Sequence, residues 1–182
     1  MKDIRRQATE IEIPVYIENI ISCAWCKAFF GSDFVREDDS RTWIYTHTEG
    51  YEPISSLEKM ELTDILNILV LTAENVDRAM NHYIFPGDYV ISENTVYVNK
   101  KKNQVKFLFH PEKFKVHGRG MEGLSHFFQQ HGDESAVPYI RRATRLLDSG
   151  GKKAVLDVQT LKRRAARWGV GQDPVGRFMR SR

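Results

Sequence analysis

Only two cysteines occur in the 182 residues, Cys23 and Cys26, three positions apart. So few exclude a disulfide framework and point to a reducing compartment, which places the chain in the cytoplasm. Long apolar runs are missing too. The most hydrophobic stretch, residues 65–71, has seven residues, against the roughly 20 that a membrane span needs. The opening Met1-Lys-Asp-Ile-Arg-Arg6 is charged, with no apolar block behind it, so no signal peptide is expected.

What is present suffices for a folded domain. Hydrophobic residues make up 41% and aromatics 11%, enough to fill a core. The net charge of +3 is unevenly spread. From Lys152 onward nine Lys and Arg stand against two Asp, a net +7, while residues 1–151 hold 18 basic and 22 acidic side chains, a net −4. This division suggests a mildly acidic domain over residues 1–150 and a basic helix with a mobile tail over 151–182, and it bears on partners rather than on fold.

Residues 9–17 alternate, with Ile11, Ile13, Val15 and Ile17 on one face, and predict an edge strand because of Pro14. Residues 20–30 form a second strand candidate, and the Gly31-Ser-Asp and Arg36-Glu-Asp-Asp-Ser-Arg stretches read as turns. Residues 41–47 predict a third strand. Ser55 and Glu58 have the spacing of a capping box. From Leu62 the sequence Leu62, Ile65, Leu66, Leu69, Ala73, Val76, Met80 predicts one long helix over 62–83. Val96, Val98, Val105, Phe107 and Phe109 then alternate around Asn99-Lys-Lys-Lys-Asn103, a hairpin with a basic tip. Two helices follow, one carrying Met121, Leu124, Phe127, Phe128 and His131, the other Val137, Ile140, Thr144 and Leu147. A last helix is predicted over 157–168 with Asp157 as its N-cap and Gly169 as its stop. The fold class is α+β: a small N-terminal antiparallel sheet, then a helical layer with an inserted β-hairpin.

A helix, a loop and a short hairpin in that order resemble the centre of a protein-kinase C-lobe. The run Ser92-Glu-Asn-Thr-Val-Tyr-Val98 resembles the end of a catalytic loop entering that hairpin. Upstream, Thr42-Trp-Ile-Tyr-Thr46 and Glu49-Gly-Tyr-Glu-Pro-Ile-Ser-Ser-Leu57 resemble a last N-lobe strand and a hinge. Within that superfamily the chain is similar to an uncharacterised domain at the N-terminus of forkhead-associated (FHA) domain proteins of Gram-positive bacteria. That domain is similar in turn to the kinase-like cytoplasmic domain of the EssB/YukC proteins of type VII secretion. The Met1–Arg6 opening, the Ile91–Val98 run and Phe127-Phe-Gln-Gln-His-Gly-Asp-Glu-Ser-Ala-Val137 carry this resemblance, which spans residues 1–150. It implies a degenerate, pseudokinase-like frame and a bacterial setting in signalling or secretion.

The kinase register can be tested by residue. Phosphoryl transfer needs an Asp five residues before a metal-binding Asn, and a second Asp after the hairpin. With Asn94 as that Asn, the Asp position is Tyr89, Asp88 lies one place off, and the Asp-Phe-Gly position falls on Phe109-His-Pro111. No glycine-rich loop and no strand Lys with a helix Glu precede them. The register predicts a non-catalytic relative with no cofactor and no metal.

Other features have ordinary readings. Cys23-Ala-Trp-Cys26 is read as buried structural thiols rather than a redox pair or half a zinc site. His47, His82, His110, His117, His126 and His131 lack zinc-ligand spacing. Gly118-Arg-Gly-Met-Glu-Gly123 follows no clear strand and is read as a flexible connection, and Lys100–Lys102 as a solvated tip.

The basic segment is the one candidate binding site. Lys162, Arg163, Arg164, Arg167 and Trp168 sit on two turns of helix, which suits anionic membrane or nucleic-acid phosphates. The competing reading docks the apolar stripe of Val158, Leu161, Ala165 and Trp168 on the domain and leaves the cations in water. The expected role is a protein–protein interaction or scaffolding domain with an unidentified protein partner. The alternative is nucleic-acid or anionic-membrane binding through residues 152–182.

Overall fold

The computed structural model describes residues 4–37, 40–113, 115–116 and 118–168, with the side chains of Arg167 and Trp168 outside that description. The segment from Gly169 to Arg182, expected to be mobile, lies outside the described residues. Among the described residues the fold is α+β, with two small antiparallel sheets and a helical layer.

The first sheet joins β1 (Ile4–Thr9), β3 (Thr42–His47) and β2 (Ser32–Arg36) in the order β1-β3-β2. β3 is the strand that its alternating Thr, Ile and Tyr residues predict. Its inward Thr42, Ile44 and Thr46 are buried, and Thr46 and Ser32 share a hydroxyl–hydroxyl hydrogen bond of 2.7 Å. The two flanking strands differ from expectation. β1 precedes the Ile11–Ile17 alternation and β2 occupies a stretch read as a turn.

Residues 9–17 are not a strand. Pro14 lies at the start of helix α1 (Val15–Ser22), where its missing N–H costs nothing. Ile13, Ile17 and Ile21 are buried while Val15 is exposed. A spacing of four fits one helical face and also a period of two, so the alternation mimicked a strand. The strand expected over 20–30 is likewise replaced. It comprises the end of α1, a turn through Ala24, and a short extended piece in which Phe29 bridges Phe107 in parallel.

The second sheet is β4 (Glu52–Pro53), β5 (Val96–Asn99) and β6 (Gln104–Phe107), the last two forming the predicted hairpin. The capping box is absent. Ile54–Ser56 make one 3-10 turn, buried Leu57 continues in extended conformation, and helix α2 (Leu62–Met80) begins after Glu61 with no side-chain cap. α2 is the central helix, buried at Leu62, Ile65, Leu66, Ile68, Leu69, Ala73 and Val76. Its buried Asn75 donates from Nδ2 to the Val105 carbonyl (2.7 Å) and accepts from Arg78 (2.7 Å), which fastens the helix to the hairpin.

Helices α3 (Glu122–His131) and α4 (Val137–Ser149) follow as predicted. α5 runs Lys152–Trp168, five residues longer at its start than expected. Asp157 is inside the helix rather than its N-cap. Gly150 and Gly151, at φ +80° and +87°, reverse the chain and let α5 begin at once. α5 packs on α2 and α4, and Ala154, Val158 and Leu161 are buried there.

Truncating a docked helix differs from stripping its charge. Leu161→Ala is expected to destabilise the fold by about 2–5 kcal/mol, whereas Arg163→Gln with Arg164→Gln should stay within about 0.5 kcal/mol. Chemical denaturation of both variants checks this.

Candidate functional site

The kinase register brings together two segments, 88–90 and 109–112, and the structure places them side by side. Tyr89 bridges Pro111 in antiparallel fashion, Val90 donates to the His110 carbonyl (3.0 Å) and Glu112 donates to that of Asp88 (3.2 Å). β1 ties the same place from outside. Gln7 donates through Nε2 to the Phe109 carbonyl and accepts at Oε1 from His110 Nδ1 (2.8 Å).

Tyr89 is the residue that the kinase register sets against a carboxylate. It is 1% exposed, its ring lies 4.9 Å edge-on to Phe29 and 5.6 Å from Phe107, and its buried hydroxyl has no hydrogen-bond partner. Burial, followed by the charges of Cys26, Asp88 and Asp77, holds its phenol protonated far above the ordinary tyrosine range. Asp88, one place off, is half-buried and spends Oδ2 on the Phe85 N–H (2.8 Å). Asn94 is exposed and faces Glu93, to which its Nδ2 donates (3.2 Å). Thr95 braces the loop by donating to the Val90 carbonyl and accepting from Ser92 N–H (both 2.9 Å).

The basic segment is divided by its helix. Lys162 points back to α2 and donates to Asn67 Oδ1 (2.8 Å), while Arg163 and Arg164 face solvent. The side chains of Arg167 and Trp168 lie outside the described residues. The solvent face of α5 thus carries Lys152, Lys153, Leu156, Arg163 and Arg164. Of the cysteines, expected to be buried, Cys26 is and Cys23 is not, since Cys23 follows the last turn of α1 and is exposed; burial pushes the Cys26 thiol up, against the N–H groups of Ala28 and Phe29 that face it. His131 stacks on Phe127 at 4.2 Å, and His117 lies outside the described residues. Among the described residues no three His, Cys, Asp or Glu side chains gather as a metal site would require. No helix among them is long and apolar enough to cross a membrane.

Sequence reasoning missed a polar hub beneath the glycine-rich connection. Arg119 donates to Asp77 on α2 (Nε, 2.9 Å) and to the Leu147 carbonyl at the end of α4 (3.1 Å). Asp148 accepts from the N–H groups of Arg119 (3.3 Å) and Met121 (3.4 Å), which ties the turn leading into α3 to the end of α4. Gly150 is required here, since a Cβ would lie 2.0 Å from the Arg119 guanidinium. The only sequence signal was the Gly118–Gly123 cluster, which reads as flexibility when Arg119 is not known to be anchored. Beside it opens a cavity of about 300 Å³, lined by Pro86, Tyr89, Ile91, Val116 and Gly120 among others.

No family model matches this chain, and no curated protein does. Among solved structures it is similar to the EssB cytoplasmic fragment of Geobacillus thermodenitrificans. The TM-score is 0.52 at 10% identity, over 90% of this chain and 86% of that one. The chain has an EssB-like α+β fold. At that identity the likeness is one of fold, and the roles of individual residues rest on the geometry above.

Burial raises the Asp148 carboxyl above its ordinary 3.8; the N–H groups of Met121 and Arg119 and the Arg119 cation oppose this, and Glu122 adds to it. The folded state therefore holds this proton more tightly than the unfolded chain. The carboxyl's contribution to stability is greatest below pH 3.8 and declines as pH rises through the folded value. Asp148→Asn keeps an acceptor for both N–H groups, so its stability relative to wild type is expected to improve as pH rises from 3 to about 6. Gly150→Ala should cost about 1–3 kcal/mol. Urea titrations across pH measure the first, and one at neutral pH the second.

Proposed function

We propose that this EssB-like domain is a non-catalytic, pseudokinase-like module for protein–protein interaction or scaffolding, working at the cytoplasmic side of a bacterial type VII secretion apparatus. The observation that carries this reading is Tyr89. Where phosphoryl transfer needs a carboxylate to accept a proton, an unionised phenol is packed between Phe29 and Phe107. In the kinase register the paired segments 88–90 and 109–112 would be a catalytic loop and its metal-binding strand, yet Tyr89 and Phe109-His-Pro111 stand at the positions that need carboxylates. The fold similar to that of the EssB cytoplasmic fragment supports the secretion setting, and the resemblance of the Ile91–Val98 and Phe127–Val137 runs to FHA-associated domains makes signalling assemblies the second setting. The partner is another protein, and no cofactor is needed.

The solvent face of α5 favours a second reading, binding of nucleic acid or anionic membrane. Lys152, Lys153, Arg163 and Arg164 project there around Leu156, which is 60% exposed. If that face reads phosphates, affinity for duplex DNA should fall with salt by a log–log slope of about 0.9 per phosphate. Changing Lys162, Arg163, Arg164 and Arg167 to Gln should then abolish binding.

Two measurements test the leading reading. Mg·ATP is expected to leave the melting temperature unchanged and to remain unhydrolysed. A bound nucleotide at 100 times its Kd would add about 2.7 kcal/mol, so a Mg-dependent rise that Asn94→Ala removes would overturn it. Cross-linking in cells should join the chain to cytoplasmic parts of the secretion apparatus, and cross-links to nucleic acid alone would favour the second reading.

A further inference from the structure

The C-terminal end of α2 is closed by a Schellman motif. The Ile84 N–H donates to the Ala79 carbonyl (3.1 Å) and the Tyr83 N–H to that of Met80 (3.0 Å). Tyr83 is the residue after the cap, at φ +59°, a left-handed conformation that favours glycine. The apolar contact of the motif is made by Ile84 and Ala79, both fully buried. The Tyr83 side chain contributes nothing to it and stands 72% exposed. The fold would be served better by glycine, so a reason for the ring lies outside the fold.

Its surroundings supply one. The Tyr16 hydroxyl donates to the Tyr83 carbonyl (3.1 Å), bringing the start of α1 against this turn. Val15, Tyr16, Tyr83 and Phe85 are all exposed there, a grouping of large apolar side chains of the kind that marks an interaction site. A carboxylate flanks it. Asp88 is placed there by geometry: it accepts from the Phe85 N–H and its charge reaches Tyr16. Aromatic faces edged by a carboxylate suit a partner bearing cations around an apolar anchor.

The same chain displays such a surface. Lys152, Lys153, Leu156, Arg163 and Arg164 share the solvent face of α5, which packs on α2 and α4 and so leaves that face uncovered. Residues 1–151 carry −4 and the rest +7. We propose that the aromatic patch of Val15, Tyr16, Tyr83 and Phe85 receives the basic face of α5 from a second copy of this chain, head to tail. Leu156 enters among the rings, with Arg163 and Arg164 over the ring faces and toward Asp88. The two surfaces differ, so the contact is heterologous and propagates rather than closing as a two-fold dimer. The proposal rests on the interaction-domain reading and names its surface.

Sedimentation of the full chain tests it. The mass of the wild type should rise with concentration and fall when salt is raised from about 0.1 to 1 M, which shortens the screening length from about 10 to 3 Å. Tyr83→Gly should melt at or above the wild-type temperature yet self-associate at least tenfold more weakly. Ala24→Gly relieves the same left-handed conformation at the end of α1 (φ +51°) away from the patch, and should raise the melting temperature with self-association intact. Lys153→Glu, Arg163→Glu and Arg164→Glu together should also give a monomer. An equimolar mixture of that triple variant with Tyr83→Gly retains one good patch and one good helix, so it should form a 1:1 dimer and nothing larger.

A wild type monomeric at about 1 mM, a Tyr83→Gly variant that associates normally, or a mixture that stays monomeric would overturn the proposal. So would loss of a foreign protein's binding on Tyr83→Gly with no self-association in the wild type. That last result would leave the interaction-domain reading standing, whereas Mg·ATP binding would remove that reading without touching the sedimentation result.

Discussion

Phe29 is buried where three parts of the chain meet, and the two halves of the fold are set against each other through it. Its ring lies edge-on to Tyr89, Phe107 and Phe109 at 4.9, 5.6 and 5.8 Å, and Phe109 continues the chain of rings to Phe34 of β2 at 6.1 Å. The backbone reinforces it, since Phe107 donates to the Ala28 carbonyl (2.7 Å) and Phe30 donates to that of Phe107 (3.1 Å). Each aromatic pair of this kind adds about 0.5–1.5 kcal/mol beyond burial. Without the junction the first sheet would be three short strands with one helix, close to the lower limit of independent stability. Gln7 adds a polar tie at the same level, joining β1 to the segment that follows the hairpin.

What the sequence made legible follows from where the burial lies. α2, the β5–β6 hairpin, α3 and α4 each bury a face long enough for one period to dominate, and all four form, although α2 ends at Met80 rather than at 83, where Tyr83 turns the chain at φ +59°. The N-terminal third did not. Ile13, Ile17 and Ile21 recur every four residues, a spacing that fits two periods. β1, Ile-Arg-Arg-Gln-Ala-Thr, carries almost no apolar signal because it is held by pairing to β3 and by one glutamine. Ser55 and Glu58 had the spacing of a cap, but Leu57 is buried in extended conformation and the chain stays non-helical through Glu61 before α2 begins.

The candidate site was legible in part for a related reason. The register located the two segments that meet at Tyr89 and Pro111, because their order along the chain is a local property. It did not reveal what occupies their junction, since Phe29 comes from sixty residues upstream. The junction also bears on chemistry. A carboxylate at position 89 would be buried beside Phe29 and Phe107 without a partner, at a cost of several kcal/mol. An aromatic seam between the halves and an ionised carboxylate could not share this one position, and the chain carries the seam. The Arg119 hub was hidden for a different reason, because the partners of Arg119 lie 28 and 42 positions away.

The C-terminal charge is ordered by the same packing logic. Within a helix of 17 residues, burial of Ala154, Val158 and Leu161 against α2 and α4 fixes the rotation of every other side chain. Lys162 falls next to that seam and is committed to Asn67, so it adds little to any external contact despite its place in the densest cationic run. Lys152, Lys153, Arg163 and Arg164 fall on the opposite side with Leu156 among them. A cluster that looks uniform in sequence is therefore two sets with different tasks, one inward and structural, the other outward. Whatever this surface meets, phosphate or protein, must be recognised by the outward set, because reorienting Lys162 toward a ligand means giving up its hydrogen bond to Asn67.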